Sequence, residues 1–523
     1  MSAAANDPLG RLLDGGAHRE YGGPVPGDSL VERLGRVVRA SGTAVHVVGL
    51  TAAIGQRCAI LSPDGRHELM ADVVGIADGE LILFPLGSLQ GVTNESLVRV
   101  LDEERGIGFS ERMVGLVIDA FGTPLNIDRG LRFGRSLPLD APSPPPMRRR
   151  AIDQVFETGV KVIDSLLSVG VGQRMGIFAM AGAGKSTLLS MLARHAQADV
   201  VVIGLIGERG REVREFVEET IGTEGMRRSV VVVATSDRPA MERVMAAQAA
   251  TAVAEGYRAA GKHVLLLMDS VTRYARALRE VGLSAGELPV RHGFTPSVFA
   301  ELPRLFERVG NDDRGSITAF YTVLAEDEDN SDPIAEETRS ILDGHIVLSR
   351  ELGEAGHYPA IDPLASVSRL FTALAEPDHR EAAGEARRLL ARYREVEFLV
   401  RVGEYKKGSD PLSDRAIEKH EALKAFLQQR AEESVPFERT LAELGKLTGK
   451  GVKANRVGAS GATDASGGTG TGDGNGGFRT GGKGERPPVR GGSFAGGASR
   501  RVPARAAPAV GSREGVRVGK RDA

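Results

Sequence analysis

The sequence predicts an α/β protein with a central parallel sheet, a small β-barrel before it and a helical domain after it. Three observations support this fold class. Short apolar runs broken by Gly and Asp fill residues 33–104. From residue 174 to about 350, apolar runs of strand length alternate with helical patterns. Residues 380–447 then carry Ala, Leu, Glu and Arg at helical spacing, which is typical of packed helices.

The first folded region is predicted to be a β-barrel over residues 26–105. Its runs GRVVRA, AVHVVGL, RCAIL, MADVVGI and ELILFPL have strand length, and several short strands at regular spacing are typical of a barrel. Residues 1–25 are rich in Gly, Pro and Asp and are expected to be flexible, without an apolar core of signal-peptide length. Residues 106–150 end in PLDAPSPPPMRRR and are expected to form a linker region, because so many prolines cannot propagate helix or sheet.

The central domain, residues 151–379, is predicted to contain the parallel sheet. Its strand candidates are RMGIFA, VVVIGLI, SVVVVA, HVLLLM and SITAFYTV, and helical patterns such as STLLSMLARHA lie between them. Strands that are apolar throughout are buried on both faces, and helices between them let consecutive strands run parallel. A helical C-terminal domain is expected to follow at 380–450.

Composition predicts a globular body with an unstructured end. Hydrophobic residues make up 41% of the 523 residues, and the formal net charge is -2. Residues 451–523 contain 20 glycines and 13 Lys and Arg against 5 Asp and Glu, so we expect a disordered, basic, Gly/Arg-rich tail on an acidic body. The single cysteine, Cys58, excludes an internal disulfide framework and a cysteine-based metal cluster, which favours a cytoplasmic protein.

A phosphate-binding loop is predicted directly after the first strand of the central domain. Small residues there let backbone N–H groups converge on phosphate oxygens at a helix N-terminus, and the strand before and the helix after disfavour an ordinary Gly/Ala turn with a solvated lysine. Lys185 can reach the β- and γ-phosphates and the Ser186 hydroxyl can ligate Mg²⁺, so ATP and Mg²⁺ are the predicted cofactors. The first position holds Ala179 instead of glycine. The nucleotide-binding candidates are Ala179, Met180, Ala181, Gly182, Ala183, Gly184, Lys185, Ser186 and Thr187.

Two carboxylates are candidates for the chemistry beside this loop. Asp269 closes the apolar run KHVLLLMDS; alone it would be an ordinary cap residue, but beside a phosphate loop it is a candidate Mg²⁺ ligand. Glu208 stands between Gly207 and Gly210, where strand becomes loop at the same edge of the sheet. A carboxylate there could orient and activate the attacking water, although the residues alone leave that role open.

The charges that follow Glu208 indicate a solvated helix surface. Arg211 and Glu215 are four residues apart, as are Arg214 and Glu218. Side chains at this spacing pair along one helix face and contribute little stability. No chemistry is predicted for these four residues.

Five segments resemble the ATPases of type III protein secretion, relatives of the catalytic subunit of rotary ATP synthases. They are GIFAMAGAGKSTLLSMLAR, IGERGREVREF, LLLMDSVTRYARALRE, PSVFAELPRLFERVGN and DGHIVLSRELGEAGHYPAIDPLASVSR. The resemblance covers residues 30–450 and implies a RecA-like P-loop core, with ATP sites at the subunit interfaces of a homo-oligomeric ring with six members. It also implies Mg²⁺-dependent ATP hydrolysis that energises protein export through chaperone release and substrate unfolding.

The resemblance also implies roles for single residues. Glu208 becomes the catalytic carboxylate and Arg209, beside it, a further catalytic residue, while Lys185 and Ser186 contact phosphate and Mg²⁺. Asp269 becomes the acid at the strand tip.

Two further roles depend on the resemblance alone. Tyr358, in HYPAID, is expected to stack on adenine, and Arg369, in SVSR, to act as an arginine finger toward the neighbouring subunit. On the residues alone, these two would be read as packing and as a surface ion-pair partner. The chain departs from the family pattern at Met180, Leu288 and Thr295.

The partners implied by the resemblance are a central stalk, a stator or regulator, an export gate and chaperone–substrate complexes, at the cytoplasmic face of the inner membrane. The runs AGAGKSTLL, VVVATSDRPAMER and ERVGNDDRGSIT favour the injectisome branch over the flagellar branch. A rotary ATP synthase subunit and a ring-shaped RNA translocase are alternatives. A translocase needs aromatic stacking surfaces and a basic groove, whereas aromatics are 5% and Trp is absent, so no specific nucleic-acid partner is expected. Glu208 argues against a non-catalytic ring subunit.

Overall fold

The computed structural model describes seven stretches of the chain: residues 33–41, 43–64, 67–101, 105–127, 134–180, 182–324 and 332–452. The predictions made for residues 1–25, for Ala181 and for the tail from residue 453 onward lie outside the described residues. Within the described stretches, every helix is too short or too polar to cross a bilayer.

Six antiparallel strands close into a barrel at the start of the described chain. They pair in the order β1-β2-β5-β4-β3-β6, with β6 returning to β1. Their inward side chains are apolar, as Val45, Leu83 and Val98 are fully buried, so the predicted barrel is confirmed. The strands are β1 (Gly35–Ser41), β2 (Ala44–Val48), β3 (Arg57–Leu61), β4 (Glu68–Ala77), β5 (Glu80–Pro85) and β6 (Leu97–Val100).

The segment assigned to a linker, 106–150, contains three short strands. β7 (Gly106–Phe109) pairs with β9 (Arg135–Pro138), and β8 (Val117–Ile118) lies at the edge of the central sheet. A two-residue strand has no periodicity that a sequence pattern can report. The proline-rich part just before Pro146 contains neither helix nor strand, as its prolines predict.

The central sheet contains nine strands in the described part of the chain. A further antiparallel pair, β10 (Val155–Phe156) with β11 (Val169–Gly170), precedes it. Besides β8, the strands of the central sheet are β12 (Arg174–Ala179), β13 (Val200–Ile206), β14 (Ser229–Ala234), β15 (His263–Asp269), β16 (Gly310–Asn311), β17 (Ser316–Leu324), β18 (Gly344–Leu348) and β19 (Val367–Ser368).

The order of this sheet is β19-β18-β12-β17-β15-β13-β14-β8, with β16 added to β17. Every neighbouring pair is parallel except those made by β16 and β19. All seven residues of β13 are buried, and its six apolar side chains alternate between two hydrophobic clusters, one on each face. The predicted parallel α/β sheet is therefore confirmed, and its loops at the carboxyl ends of the strands meet at one edge.

Helices cover both faces of the sheet and form the C-terminal domain. The long helix α5 belongs to one hydrophobic cluster, whereas α2 shares the other cluster with the last three helices, which confirms the helical domain. The helices are α1 (Lys161–Leu166), α2 (Lys185–His195), α3 (Gly210–Glu215), α4 (Gly222–Met226), α5 (Ala240–Ala259), α6 (Val271–Ser284), α7 (Pro296–Glu307), α8 (Pro333–Ile341), α9 (Arg350–Glu354), α10 (Phe371–Leu374), α11 (Pro377–Arg401), α12 (Pro411–Leu427) and α13 (Phe437–Thr448).

Candidate active site

The predicted phosphate loop connects β12 to α2. Gly182 and Gly184 have φ angles of 82° and 81°, the left-handed region that glycine adopts without steric cost. Gly184 precedes the first residue of α2 and supplies no side-chain cap. The N–H groups in the first turn of this eleven-residue helix therefore point toward any anion at the carboxyl edge of the sheet.

Lys185 lies between two carboxylates that come from other strands. Its Nζ is 2.6 Å from Oδ1 of Asp269 and 3.6 Å from Oε1 of Glu208. Asp269 is the last residue of β15, and the Thr322 hydroxyl on neighbouring β17 donates to the same Oδ1 at 2.8 Å. The structure thus brings together the lysine and the two acids that the sequence singled out, and adds Thr322 as the residue that orients Asp269.

Glu208 follows β13 and forms an ion pair with an arginine that the sequence analysis missed. Arg273, in the first turn of α6, places Nη2 3.0 Å from Glu208 Oε2, and its Nη1 donates to the Gly207 carbonyl. Gly207 has a φ of 73°, and a Cβ there would lie 3.1 Å from Arg273 Cδ. A glycine is therefore required for this approach. The available signal was the position of Arg273, four residues after Asp269.

The Glu208 carboxyl is buried and has a raised pKa. Burial is the largest cause, the Asp269 carboxylate is the second, and together they raise the pKa to about 7, against the opposing charges of Lys185 and Arg273. A hydrogen bond with Glu212 also raises it, and that bond is the largest cause of a lowered pKa for Glu212. A carboxyl that titrates near neutral pH is suited to act as a general base.

The other charged residues of this stretch lie on the surface. Between residues 208 and 218, all of which the structure describes, Glu208 is the one buried charged side chain. The Arg209 side chain is 79% exposed and pairs with Glu212 at 3.4 Å, and Arg214 pairs with Glu218 at 3.0 Å. Arg209 thus contacts the site only through Glu212.

The residues present fit a magnesium ion that arrives with phosphates. Among the described residues, no group of three or more His, Cys, Asp or Glu side chains could hold a metal alone, but Mg²⁺ is commonly bound by one or two carboxylates together with substrate phosphates. Ser186, exposed in the first turn of α2, and Asp269 supply a hydroxyl and a carboxylate. Oε1 of Glu208 is buried and receives no hydrogen bond from the described residues, so the site retains one free acceptor.

Tyr358 lies against the phosphate loop. A Cβ on Gly184 would be 2.9 Å from Cε1 of the ring, and the Tyr358 hydroxyl is 3.9 Å from where a Cβ on Gly353 would be. The residue is 38% exposed. An aromatic ring that borders the phosphate loop and is open to solvent provides a face on which a base can stack.

Arg369 is found at the opposite edge of the sheet. Its N–H donates to the Asp343 carbonyl at 3.0 Å, and the Asp343 N–H donates to the carbonyl of Arg174, the first residue of β12. The phosphate loop follows the last residue of β12, so the two lie about 17 Å apart along the strand direction. The Arg369 guanidinium is exposed and donates to the carbonyls of Arg339 and Ser340 at the end of α8.

Comparison with known proteins gives two family matches and close relatives. Residues 159–368 match the ATP synthase alpha/beta family, nucleotide-binding domain, and residues 375–446 match the T3SS EscN ATPase C-terminal domain. The chain is 51% identical over 416 residues to a type 3 secretion system ATPase of Xanthomonas euvesicatoria, covering 80% of this chain and 94% of the relative. It is 44% identical over 431 residues to the flagellum-specific ATP synthase of Pseudomonas aeruginosa, covering 82% and 95%.

Two solved structures are similar over the same extent. The assembled ATPase EscN of the enteropathogenic E. coli type III secretion system has a TM-score of 0.76 at 44% identity, covering 79% of this chain and all of that chain. The same ATPase in complex with its central stalk EscO has a TM-score of 0.74 at 44% identity, with the same coverage. The similarity thus extends through the barrel, the central domain and the helical domain.

Proposed function

Because this chain belongs to the type III secretion system ATPases, within the ATP synthase alpha/beta family, we infer that it hydrolyses ATP to energise protein export. The export work that we propose is the release of chaperones from secreted proteins and the unfolding and feeding of those proteins to an export gate. The observation that supports hydrolysis is the cluster of Lys185, Glu208 and Asp269 beside the phosphate loop.

The proposed reaction is transfer of the γ-phosphoryl group to water. Backbone N–H groups of residues 182–186 and the Lys185 ammonium bind the phosphates, and the charge of Lys185 offsets the negative charge that develops on the γ-phosphate. Glu208 accepts a hydrogen bond from the attacking water and then its proton, and Arg273 keeps the carboxylate in place. Tyr358 supports the base, and its ring also closes one side of the phosphate loop.

Magnesium is the second proposed cofactor. Ser186 and Asp269 would hold it, and when bound it would supply positive charge that offsets the negative charge of the phosphates. Thr322 orients the Asp269 carboxylate through its hydroxyl. The Lys185 ammonium, which bonds Asp269 in this structure, would exchange that contact for phosphate oxygens.

A homo-oligomeric ring, with six members as the expected number, is the proposed assembly. Arg369 lies too far from its own phosphate loop to reach it, so we propose that it completes the site of the neighbouring subunit. EscN is an assembled ATPase that binds a central stalk, EscO, and a stalk partner is proposed for this chain by similarity. A stator or regulator and peripheral attachment to the cytoplasmic face of the inner membrane complete the proposal.

The injectisome branch is the proposed setting. The supporting comparisons are the 51% and 50% identities to type 3 secretion system ATPases of Xanthomonas euvesicatoria and Sinorhizobium fredii. Flagellar export is the second candidate, since the flagellum-specific relative is 44% identical over a similar length. Restoring secretion in a strain that lacks its injectisome ATPase, but not in one that lacks its flagellar ATPase, distinguishes the two.

Two variants of the full chain test the site. Lys185→Ala removes the phosphate-binding ammonium, so nucleotide binding should weaken. Glu208→Gln keeps the size of the side chain but cannot accept the water proton, so it should bind ATP normally and lose turnover by about 10²–10⁴. Binding is measured with a fluorescent ATP analogue and turnover by phosphate release, with Glu218→Gln as a surface control. Normal turnover in Glu208→Gln would remove Glu208 from the proposed mechanism.

A further inference from the structure

A short segment after α12, residues 428–435, contacts the far end of α2 and the backbone of Tyr358. We call it the junction segment. The ring nitrogen Nε2 of His195, the last residue of α2, lies 2.8 Å from the Ala431 carbonyl oxygen. The Val435 N–H donates to the Gly159 carbonyl at 3.3 Å. Since α2 begins at the phosphate loop, the junction segment touches the far end of the helix that binds phosphate.

Gln429 is the buried centre of the junction segment, only 5% exposed. Its Oε1 accepts from the Lys161 N–H at 2.8 Å, and its Nε2 donates to the carbonyls of Gly159 and Glu433, both at 2.7 Å. Both N–H donors of the amide and one oxygen lone pair are therefore used, and the side chain fixes the junction segment to residues 159–161. Removing the amide would leave buried backbone groups without partners, which costs more than the bonds themselves contribute.

The backbone of Gln429 continues this connection to the base side of the site. Its N–H donates to the Tyr358 carbonyl at 2.9 Å, and the Tyr358 ring lies against Gly184. One residue thus joins the helical domain, the start of the central domain and the backbone of the residue whose ring borders the phosphate loop. The phosphate-side residues Lys185, Glu208 and Asp269 are held instead by β15, β17 and α6.

We propose that Gln429 is a positioning residue for the nucleotide base: it fixes Tyr358 against the phosphate loop and so sets the affinity for the base end of ATP. It does this without contacting the phosphates. This inference rests on the proposed function, in which Tyr358 carries the base. A movement of the helical domain that carries Gln429 with it would change base affinity before it changed phosphate affinity.

The test compares ATP with inorganic tripolyphosphate, which has the phosphates but neither base nor sugar. Gln429→Met keeps the volume without the hydrogen bonds, and Gln429→Asn keeps the amide but shortens its reach. We expect both variants to raise KM for ATP about tenfold, the result of losing buried hydrogen bonds, with kcat and the inhibition constant of tripolyphosphate within about twofold of the parent protein. Gln428→Met is the matched control, because the side chain of Gln428 makes none of these bonds.

The possible outcomes separate the role of Gln429 from the existence of a base site at Tyr358. If both ligands weaken together, or if neither changes in the two Gln429 variants, Gln429 has no specific role on the base side. A variant that fails to fold loses tripolyphosphate as well and counts as the first of these results. Tyr358→Ala, measured in parallel, tests the premise: if it leaves the ratio of ATP to tripolyphosphate affinity unchanged, the base site itself is wrong. If Tyr358→Ala shifts the ratio and the Gln429 variants do not, only the role of Gln429 is wrong.

Discussion

Tyr358 and Arg369 are close in the chain but lie at opposite edges of the central sheet. Tyr358 borders the phosphate loop that follows β12, whereas Arg369 is level with the first residue of β12. At the Tyr358 end, two buried carboxylates, Glu208 and Asp269, pair with half-buried Lys185 and Arg273 beside the phosphate loop. Around Arg369 it leaves an exposed guanidinium whose only anchors among the described residues are two carbonyl groups.

Under the proposed mechanism, this difference separates the steps that a single subunit supports from the step that needs a neighbouring subunit. The groups that we propose for phosphate binding, water activation and base contact all lie at the carboxyl edge of the sheet. The candidate arginine finger, Arg369, lies instead at the amino edge of the same strands. In the proposed mechanism, one subunit therefore builds most of a site and presents Arg369 outward to a neighbour, the arrangement expected of an enzyme with sites at subunit interfaces.

The largest effect is expected for Arg369→Ala. An arginine finger is worth about 10³–10⁵ in rate, so this variant should bind ATP and barely hydrolyse it. Turnover per subunit should rise steeply with protein concentration as rings assemble. Mixing Arg369→Ala with Glu208→Gln subunits, each inactive alone, should restore phosphate release, because some interfaces combine an intact Glu208 with an intact Arg369.

A matched control keeps this test interpretable. Arg350→Ala removes another exposed arginine, one that pairs with Glu354 on a short helix, and should leave turnover unchanged. Two results would show that Arg369 does not act in trans. One is the absence of phosphate release from mixed rings whose formation is demonstrated by native mass spectrometry, and the other is full turnover by dilute monomers. The placement of Tyr358 and Arg369 at opposite edges of the sheet would then have no catalytic consequence.

Local sequence patterns predicted the residues beside the phosphate loop better than the position of Arg369. Each strand and the residues at its carboxyl end are contiguous in sequence, so the phosphate-loop spacing identified Lys185 and marked Asp269 and Glu208, at the ends of two apolar runs, as candidates. The residues alone left the role of Glu208 open, and the family resemblance supplied it. Thr322 is 53 residues from the Asp269 that it orients, and Gln429 is 268 residues from Lys161. Contacts of this kind depend on strand order and on domain packing, which no local pattern reports.

The direction of β19 was equally inaccessible to the sequence analysis. β19 has two residues and runs antiparallel to β18, and this reversal brings Arg369 to the amino edge of the parallel strands. Its role was expected from family resemblance, but its distance from its own phosphate loop came from the fold. The edge strand β8 was missed for the same reason, because two residues carry no periodicity.

An intermediate effect is expected when pH is varied. This experiment tests Glu208, at the same edge of the sheet as Tyr358. Glu208 must be deprotonated to accept a proton from water, and burial raises its pKa to about 7. kcat/KM for ATP, measured with magnesium in excess, should therefore rise about tenfold per pH unit below 7 and level off above it. Glu212→Ala removes a hydrogen bond that raises this pKa, so the rise should move to lower pH.

Stability changes cannot produce this profile, because their sign is opposite. A carboxyl whose pKa is raised from 4.5 to about 7 on folding contributes stability that is fully present below 4.5 and is lost as pH rises through 7. Activity should thus increase while this contribution to the free energy of unfolding decreases. A flat kcat/KM between pH 6 and 8, with melting temperature measured alongside, would indicate that Glu208 is not the titrating base.

The smallest effect is expected at Tyr358, where ring and hydroxyl can be separated. The ring borders the phosphate loop and is 38% exposed, so its proposed work is stacking, which is worth about 1–3 kcal/mol per base. Tyr358→Phe keeps the ring and should leave KM for ATP nearly unchanged. Tyr358→Leu keeps an apolar side chain without a π-face and should raise KM about tenfold at constant kcat. Equal KM values for the Leu and Phe variants would show that the base does not stack on Tyr358. Tyr358 and Arg369 would then no longer serve two different nucleotide sites.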